Sequence, residues 1–225
     1  MDNYMTQRIS YRNFLVNIFK WLFIGLGITT LTSVIFFLSR LSQFLGFISI
    51  AVMIIASIIE IIMVIILSKK IHDLSIASAK RYFYVYSIIN GITMSLLLGC
   101  IDPYIAVLAF ALTVAYFGLL YAIASHTVYD FTSIGHMCLI VLPMMIVAYI
   151  ILFIIQVPVL YYGIIFIDLA LFTGITLYDM KKIKDFYDYS TNEELEGAEL
   201  YCALELYLDF INIFIDILML LDDLS

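Results

Sequence analysis

Long apolar segments separated by short polar ones run along almost the whole chain. A helix needs about 20 apolar residues to cross a bilayer, and the pattern predicts seven such helices. They lie at residues 14–38, 44–67, 82–99, 104–125, 137–156, 158–178 and 200–221. Only "QVP" (156–158) separates the fifth and sixth spans, so these two should form a tight hairpin in which Pro158 starts the second helix.

Composition supports this prediction. The 225 residues are 64% apolar and 13% charged, with a mean hydropathy of +1.09. Ordinary globular domains are nearer half apolar and a quarter charged. We therefore expect an all-α membrane protein with a single transmembrane domain over residues 1–225, which begins with a short cytoplasmic tail (1–13).

Lysine and arginine are distributed very unevenly. Ten of the eleven fall on one side of the membrane if the first six spans alternate, and only Arg40 falls on the other. The positive-inside rule then places the N-terminus and the loops 69–81 and 181–199 in the cytoplasm. A complete seventh span would leave the C-terminus outside, whereas a re-entrant 200–221 segment would return it to the cytoplasm. We favour crossing, because the segment is long enough.

Acidic residues are concentrated near the C-terminus. The net charge is −7, and twelve of the 18 acids lie from Asp179 onward. The run 185–199 is predicted to be a solvated cytoplasmic loop, and it disfavours nucleic acid and anionic lipid as partners. Solubility and topology explain this run most simply. A role in attracting cations to a pore mouth is the alternative.

The segment "LELYLDFINIFIDIL" (204–218) is almost wholly apolar but carries a polar stripe. Its members recur at helical spacing, namely Glu205, Asp209, Asn212 and Asp216. An ionised acid at mid-depth costs about 2.5–3.5 kcal/mol on insertion scales. Such residues usually face a bundle interior or a water-filled path. We therefore expect the stripe to point inward and the last helix to be central.

Further carboxylates lie in other predicted spans. Asp168 and Asp179 share a helix face, Glu60 is deep in the second span, and only Lys20 is a basic residue that could reach them. Two carboxylates in one dry site do not both ionise easily, and they titrate as a pair. Such a pair could form a pH-sensitive cation site or gate, since Ca²⁺ prefers oxygen ligands. It could equally be a static hydrogen-bond network that fixes helix packing.

Catalytic and cofactor motifs are absent from the sequence. The three cysteines and three histidines have no ligand or disulfide spacing. There is no Ser–His–Asp arrangement, HExxH motif, glycine-rich phosphate loop or GxGD segment. We therefore expect neither an enzyme nor a resident cofactor.

Four segments resemble the Bax inhibitor-1 family, most closely its bacterial YccA- and YetJ-like branch. They are "LYDMKKI" (177–183), the 204–218 segment, the acid Glu60 in the second span and "NGIT" (90–93). The resemblance implies seven helices, with six surrounding a central C-terminal one, and a pH-sensitive Ca²⁺ leak. The family's paired aspartates map onto Asp179 and Asp209, which would sense protons, gate the path and act as candidate Ca²⁺ ligands.

The resemblance also implies supporting residues. YetJ-type members latch the first aspartate with an arginine after the second span, where this chain has Lys69 and Lys70, which lack the forked geometry of arginine. Candidate residues along a cation path are Glu60, Asp168, Glu205, Asn212 and Asp216.

An alternative function is a membrane-embedded stress or cell-death modulator that binds partner proteins, such as a membrane AAA protease, without transport. The predicted location is a bacterial cytoplasmic membrane, with the lipid bilayer, Ca²⁺ and protons as partners.

Overall fold

A computed structural model describes residues 8–39, 75–155, 157–191 and 194–224 of the chain. These residues form six α-helices and no strand. The helices are α1 (Tyr11–Leu38), α2 (Ile76–Leu98), α3 (Pro103–His126), α4 (Thr132–Ile155), α5 (Pro158–Tyr189) and α6 (Leu195–Asp223). The all-α prediction is confirmed for this part of the chain. The predicted second span, 44–67, lies outside the described residues.

Local sequence signals set several of the helix ends. Ser10 and Ser75 cap α1 and α2, and each side chain accepts a hydrogen bond from a backbone N–H three residues later. Asp102 caps α3 by accepting from the Tyr104 N–H at 2.7 Å, with Pro103 at the first helical position. Pro158 begins α5, as the hairpin prediction requires.

Four helices within the described ranges are long and apolar enough to cross a membrane. They cover Tyr11–Leu38, Pro103–His126, Thr132–Leu152 and Val159–Tyr189. The segments predicted as the third and seventh spans do form helices, α2 and α6, but neither is among these four. The helical membrane architecture is thus confirmed, while the count of seven spans and the arrangement of six helices around a seventh stay predictions.

The run 181–199, which the sequence predicts to be a loop, is helical over most of its length. Helix α5 continues to Tyr189 and α6 begins at Leu195. The physical reason is a buried apolar side of this run, which includes Ile183, Leu195 and Ala198. Burial of these side chains stabilises helix in spite of the surrounding charges.

The described residues form two compact units. The first contains α1, α2, the end of α5 from Phe186 and α6 as far as Tyr207. The second contains α3, α4, α5 as far as Asp185 and α6 from Leu208 onward.

Close packing of α1 against α2 forms the centre of the first unit. A Cβ atom added at Gly91 would lie only 2.7 Å from the Thr29 carbonyl oxygen, so glycine allows the two backbones to approach. Gly25 faces the rings of Phe83 and Tyr207 in the same way. A Cβ atom added at Gly27, in contrast, would meet no atom of the described residues within 4 Å. Gly25 and Gly91 therefore serve helix packing within the first unit.

Aromatic rings and small residues pack the second unit. On α3, the rings of Phe110 and Phe117 contact Phe210 of α6 edge-on, with centroids 5.7 and 5.5 Å apart. Between α4 and α5, a Cβ atom at Gly174 would lie 2.8 Å from the Cys138 sulfur. These contacts fix α5 and α6, which carry the candidate acids.

Candidate functional site

The two predicted sensor residues are both buried. Asp179 lies on α5 and is 8% exposed, and Asp209 lies on α6 and is 3% exposed. Both belong to the second unit. Glu60 and the candidate latch residues Lys69 and Lys70 lie outside the described residues. The part of the proposed site that the structure describes is therefore the α5–α6 acid set.

The polar stripe on α6 is divided by burial. Asp209 and Asp216 are buried, as predicted, whereas Glu205 and Asn212 are only partly buried. Asn212 uses its side-chain amide to donate to the Leu208 carbonyl oxygen at 2.7 Å, within its own helix. The stripe thus lies along the edge of the buried face, and only its two aspartates are enclosed.

Asp168 and Asp216 form a second acidic region of the second unit. The Tyr149 hydroxyl on α4 donates to Asp168 Oδ2 at 2.8 Å. Asp216 is 4% exposed, and its Oδ2 atom has no hydrogen-bond partner within the described ranges. The two carboxylates are close enough to interact electrostatically. The predicted inward orientation of Asp216 therefore brings it near Asp168.

Glu199 is buried, although it lies in the run 185–199 that the sequence predicts to be solvated. It lies just before the predicted last span, and its Oε1 accepts from the Asn17 side-chain amide at 2.9 Å. Burial raises the pKa of Glu199, which the Asn17 hydrogen bond partly opposes. The missed signal was the helical spacing of Glu199 from the apolar residues Leu195 and Ala203, which are both buried.

Basic residues near the starts of two helices of the first unit, α1 and α2, contact the acidic run. Arg8 donates to the backbone carbonyls of Tyr187 and Ser190 and lies over the Tyr187 ring. Lys80, near the start of α2, pairs with Glu196 and lies over the Trp21 ring. The start of α1, the start of α2 and the connection from α5 to α6 therefore meet.

No group of three or more histidine, cysteine or acidic side chains with metal-binding geometry occurs in the described part of the chain. What these residues offer is protonation chemistry, because carboxylates buried in apolar helices gain or lose charge at high electrostatic cost.

Apolar helices of spanning length and carboxylates enclosed among them define a multi-pass helical membrane protein with a buried acidic site. The family described as inhibitor of apoptosis-promoting Bax1 matches residues 11–225. The chain therefore belongs to the Bax inhibitor-1 family.

Relatives in several bacteria share this chain's length. The chain is 26% identical to the inner membrane protein YbhL of Escherichia coli K12, over 96% of this chain and 94% of that one. It is 29% identical to an uncharacterized protein of Deinococcus radiodurans, over 92% and 89%. It is 30% identical to an uncharacterized membrane protein of Streptococcus pyogenes serotype M1, over 72% and 71%.

Proposed function

We propose that this protein is a pH-sensitive calcium leak of a bacterial inner membrane, gated by Asp179 and Asp209. The observation that carries the proposal is the burial of both aspartates in one helical unit of a Bax inhibitor-1 family chain. A membrane-embedded carboxylate is costly unless it serves a path or a partner.

The mechanism follows from the charge of the two acids. When one or both carry a proton, they hydrogen-bond with little repulsion and α5 and α6 remain together. When both are ionised, they repel each other and favour separation of the helices. The ionised oxygens are then suitable transient ligands for Ca²⁺, which is the transported ion and not a resident cofactor. Flux should therefore rise as the pair loses its proton.

The experiment is Ca²⁺ flux into liposomes that contain the purified full-length protein, compared at about pH 6, 7 and 8, because two carboxylates in one dry site titrate as a pair. Asp179→Asn and Asp209→Asn should each remove the pH dependence, because neither variant retains two ionisable acids. Asp185→Asn is the matched control, since Asp185 is exposed on the same helix as Asp179.

Two outcomes test the two parts of the proposal, the gating role of the aspartates and the calcium leak, separately. Flux that keeps its pH dependence in both variants would refute the gating role of these aspartates. Absence of flux at every pH would refute the leak itself, and the buried acids would then fix helix packing in a protein that acts by binding a partner.

A further inference from the structure

A second set of titratable side chains lies in the second unit, away from the proposed gate. We call Tyr149, Tyr161, Asp168 and Asp216 the acid–tyrosine cluster. Asp168 precedes Asp179 by 11 residues on α5, which is about 16 Å along a helix at 1.5 Å per residue. Asp216 follows Asp209 by seven residues on α6, or about 10 Å. Since both acids are displaced from the gate, the cluster is a separate site.

The hydrogen bonds of the cluster are unequal. Asp168 accepts from the Tyr149 hydroxyl at 2.8 Å, which favours the ionised form of Asp168. Asp216 is more deeply enclosed, and its Oδ2 has no hydrogen-bond partner among the residues the structure describes. A buried ionised oxygen without a donor is one of the most costly arrangements in a protein interior. A proton on this pair would remove that cost.

The charged and titratable groups around the pair come from three helices. Tyr149 of α4 interacts electrostatically with both carboxylates and with Tyr161 of α5. Tyr161 in turn lies near Asp216 and Asp223 of α6. In the described part of the chain, no basic side chain forms an ion pair with either Asp168 or Asp216. The groups named here that face the pair from the described helices are acidic or neutral, so within this part of the chain no ion pair offsets two ionised acids.

We propose that Asp168 and Asp216 share one proton and form a second proton-binding site of this protein. The protonated pair carries a single negative charge, which the Tyr149 hydroxyl stabilises by donating to Asp168. Loss of the shared proton creates two like charges near each other in an apolar setting, so the pair resists that loss. The inference deepens the proposed function, because it adds a second protonation step to a helix pair that already carries the gate.

The test is infrared spectroscopy of the full-length protein in lipid nanodiscs as a function of pH. The carbonyl band of a protonated carboxyl group is recorded for each protein. The spectrum of Asp216→Asn, and separately that of Asp168→Asn, is then subtracted from the wild-type spectrum. At neutral pH we expect one protonated acid from the pair. In each variant the remaining acid loses its like-charged neighbour, so its pH midpoint should fall by about one unit or more.

A milder variant keeps the test decisive if the asparagine variants do not fold. Tyr149→Phe retains both acids but removes the donor to Asp168, so the shared proton should persist to higher pH. Asp185→Asn should leave the band and its midpoint unchanged. The proposal is overturned if both acids are ionised at neutral pH, or if removing one acid or the Tyr149 hydroxyl leaves the midpoint where it was.

The two proposals fail separately because this measurement uses no transport. A shared proton in a protein without calcium flux would overturn only the leak. Calcium flux in a protein whose Asp168 and Asp216 are both ionised would overturn only this inference.

Discussion

A buried hydroxyl pair connects the C-terminal helix to α1 in the first unit. The Thr29 hydroxyl donates to the Ser87 carbonyl oxygen at 3.0 Å and lies 2.6 Å from the Tyr207 hydroxyl. A threonine hydroxyl has only one proton. Since Thr29 uses that proton toward Ser87, Tyr207 must be the donor toward Thr29. The three residues are buried, so no water replaces either bond.

The direction of these bonds predicts unequal costs for two substitutions. Tyr207→Phe removes one interhelical hydrogen bond, and we expect it to lower the free energy of unfolding by about 0.6–1.7 kcal/mol. Thr29→Val removes both bonds and takes the acceptor from the Tyr207 hydroxyl, so the expected cost is about 1–3 kcal/mol. The double variant should cost less than the sum of the two, because the shared bond is lost only once.

The assay is equilibrium unfolding of the purified protein in mixed micelles with increasing denaturing detergent. Tyr84→Phe is the matched control, because Tyr84 undergoes the same chemical change on an exposed ring beside Trp21. A larger cost for Tyr207→Phe than for Thr29→Val would refute the assigned direction of donation. Fully additive costs would refute the hydrogen bond itself.

Four further substitutions test local features. Glu199→Gln should remove a pH dependence of stability in thermal unfolding. Because the pKa of Glu199 is raised in the folded state, its contribution to stability is full below its pKa in the unfolded chain and is lost as pH rises through its pKa in the folded protein. The variant, which cannot ionise, should therefore be relatively more stable than the wild type at neutral pH. Gly91→Ala should cost about 1–3 kcal/mol in detergent unfolding because its Cβ meets the Thr29 backbone. Gly27→Ala is the matched control and should not destabilise, because its added Cβ meets none of the described atoms within 4 Å. Hydrogen bonds from Thr132 lower the pKa of Asp130. The resulting stabilisation is present above the pKa of Asp130 in the unfolded chain and is lost as pH falls through its pKa in the folded protein. Asp130→Asn should abolish that acid dependence of the thermal unfolding midpoint.

Helices with strong end signals could be predicted from the sequence almost to the residue. For α3, the apolar run predicted 104–125 against the observed Pro103–His126, where the Asp102 cap and Pro103 fix the start of the helix. For α2 the predicted span begins at 82, after the charged pair Lys80 and Arg81, whereas the helix begins at Ile76. In the structure Ser75 caps the helix, and Lys80 extends over Trp21 to reach Glu196. A long basic side chain can thus arise from within a helix while its charged group extends to a partner on another helix.

The candidate site was predictable in part. The cost of an acid in an apolar helix predicted that Asp209 and Asp216 are enclosed, and they are. The same argument did not predict that Glu205 and Asn212 are less buried than the two aspartates. All four share one narrow stripe, and the residues around it are apolar on every side. The bond from Tyr149 to Asp168 joins two helices, and no spacing within either one reveals it. Glu199 was missed because the charges around it resemble a solvated loop.

The position of Cys100 gives the protein a built-in reporter of its orientation. This thiol is exposed and directly follows the end of α2 opposite to Lys80. The two other cysteines are partly buried and buried. A maleimide that does not cross membranes, applied to intact cells, can thus distinguish the two insertions without any engineered residue. If α2 crosses the bilayer, labelling of Cys100 from outside would place Lys80 and Arg8 on the cytoplasmic face, and protection until the cells are broken would place them on the opposite face.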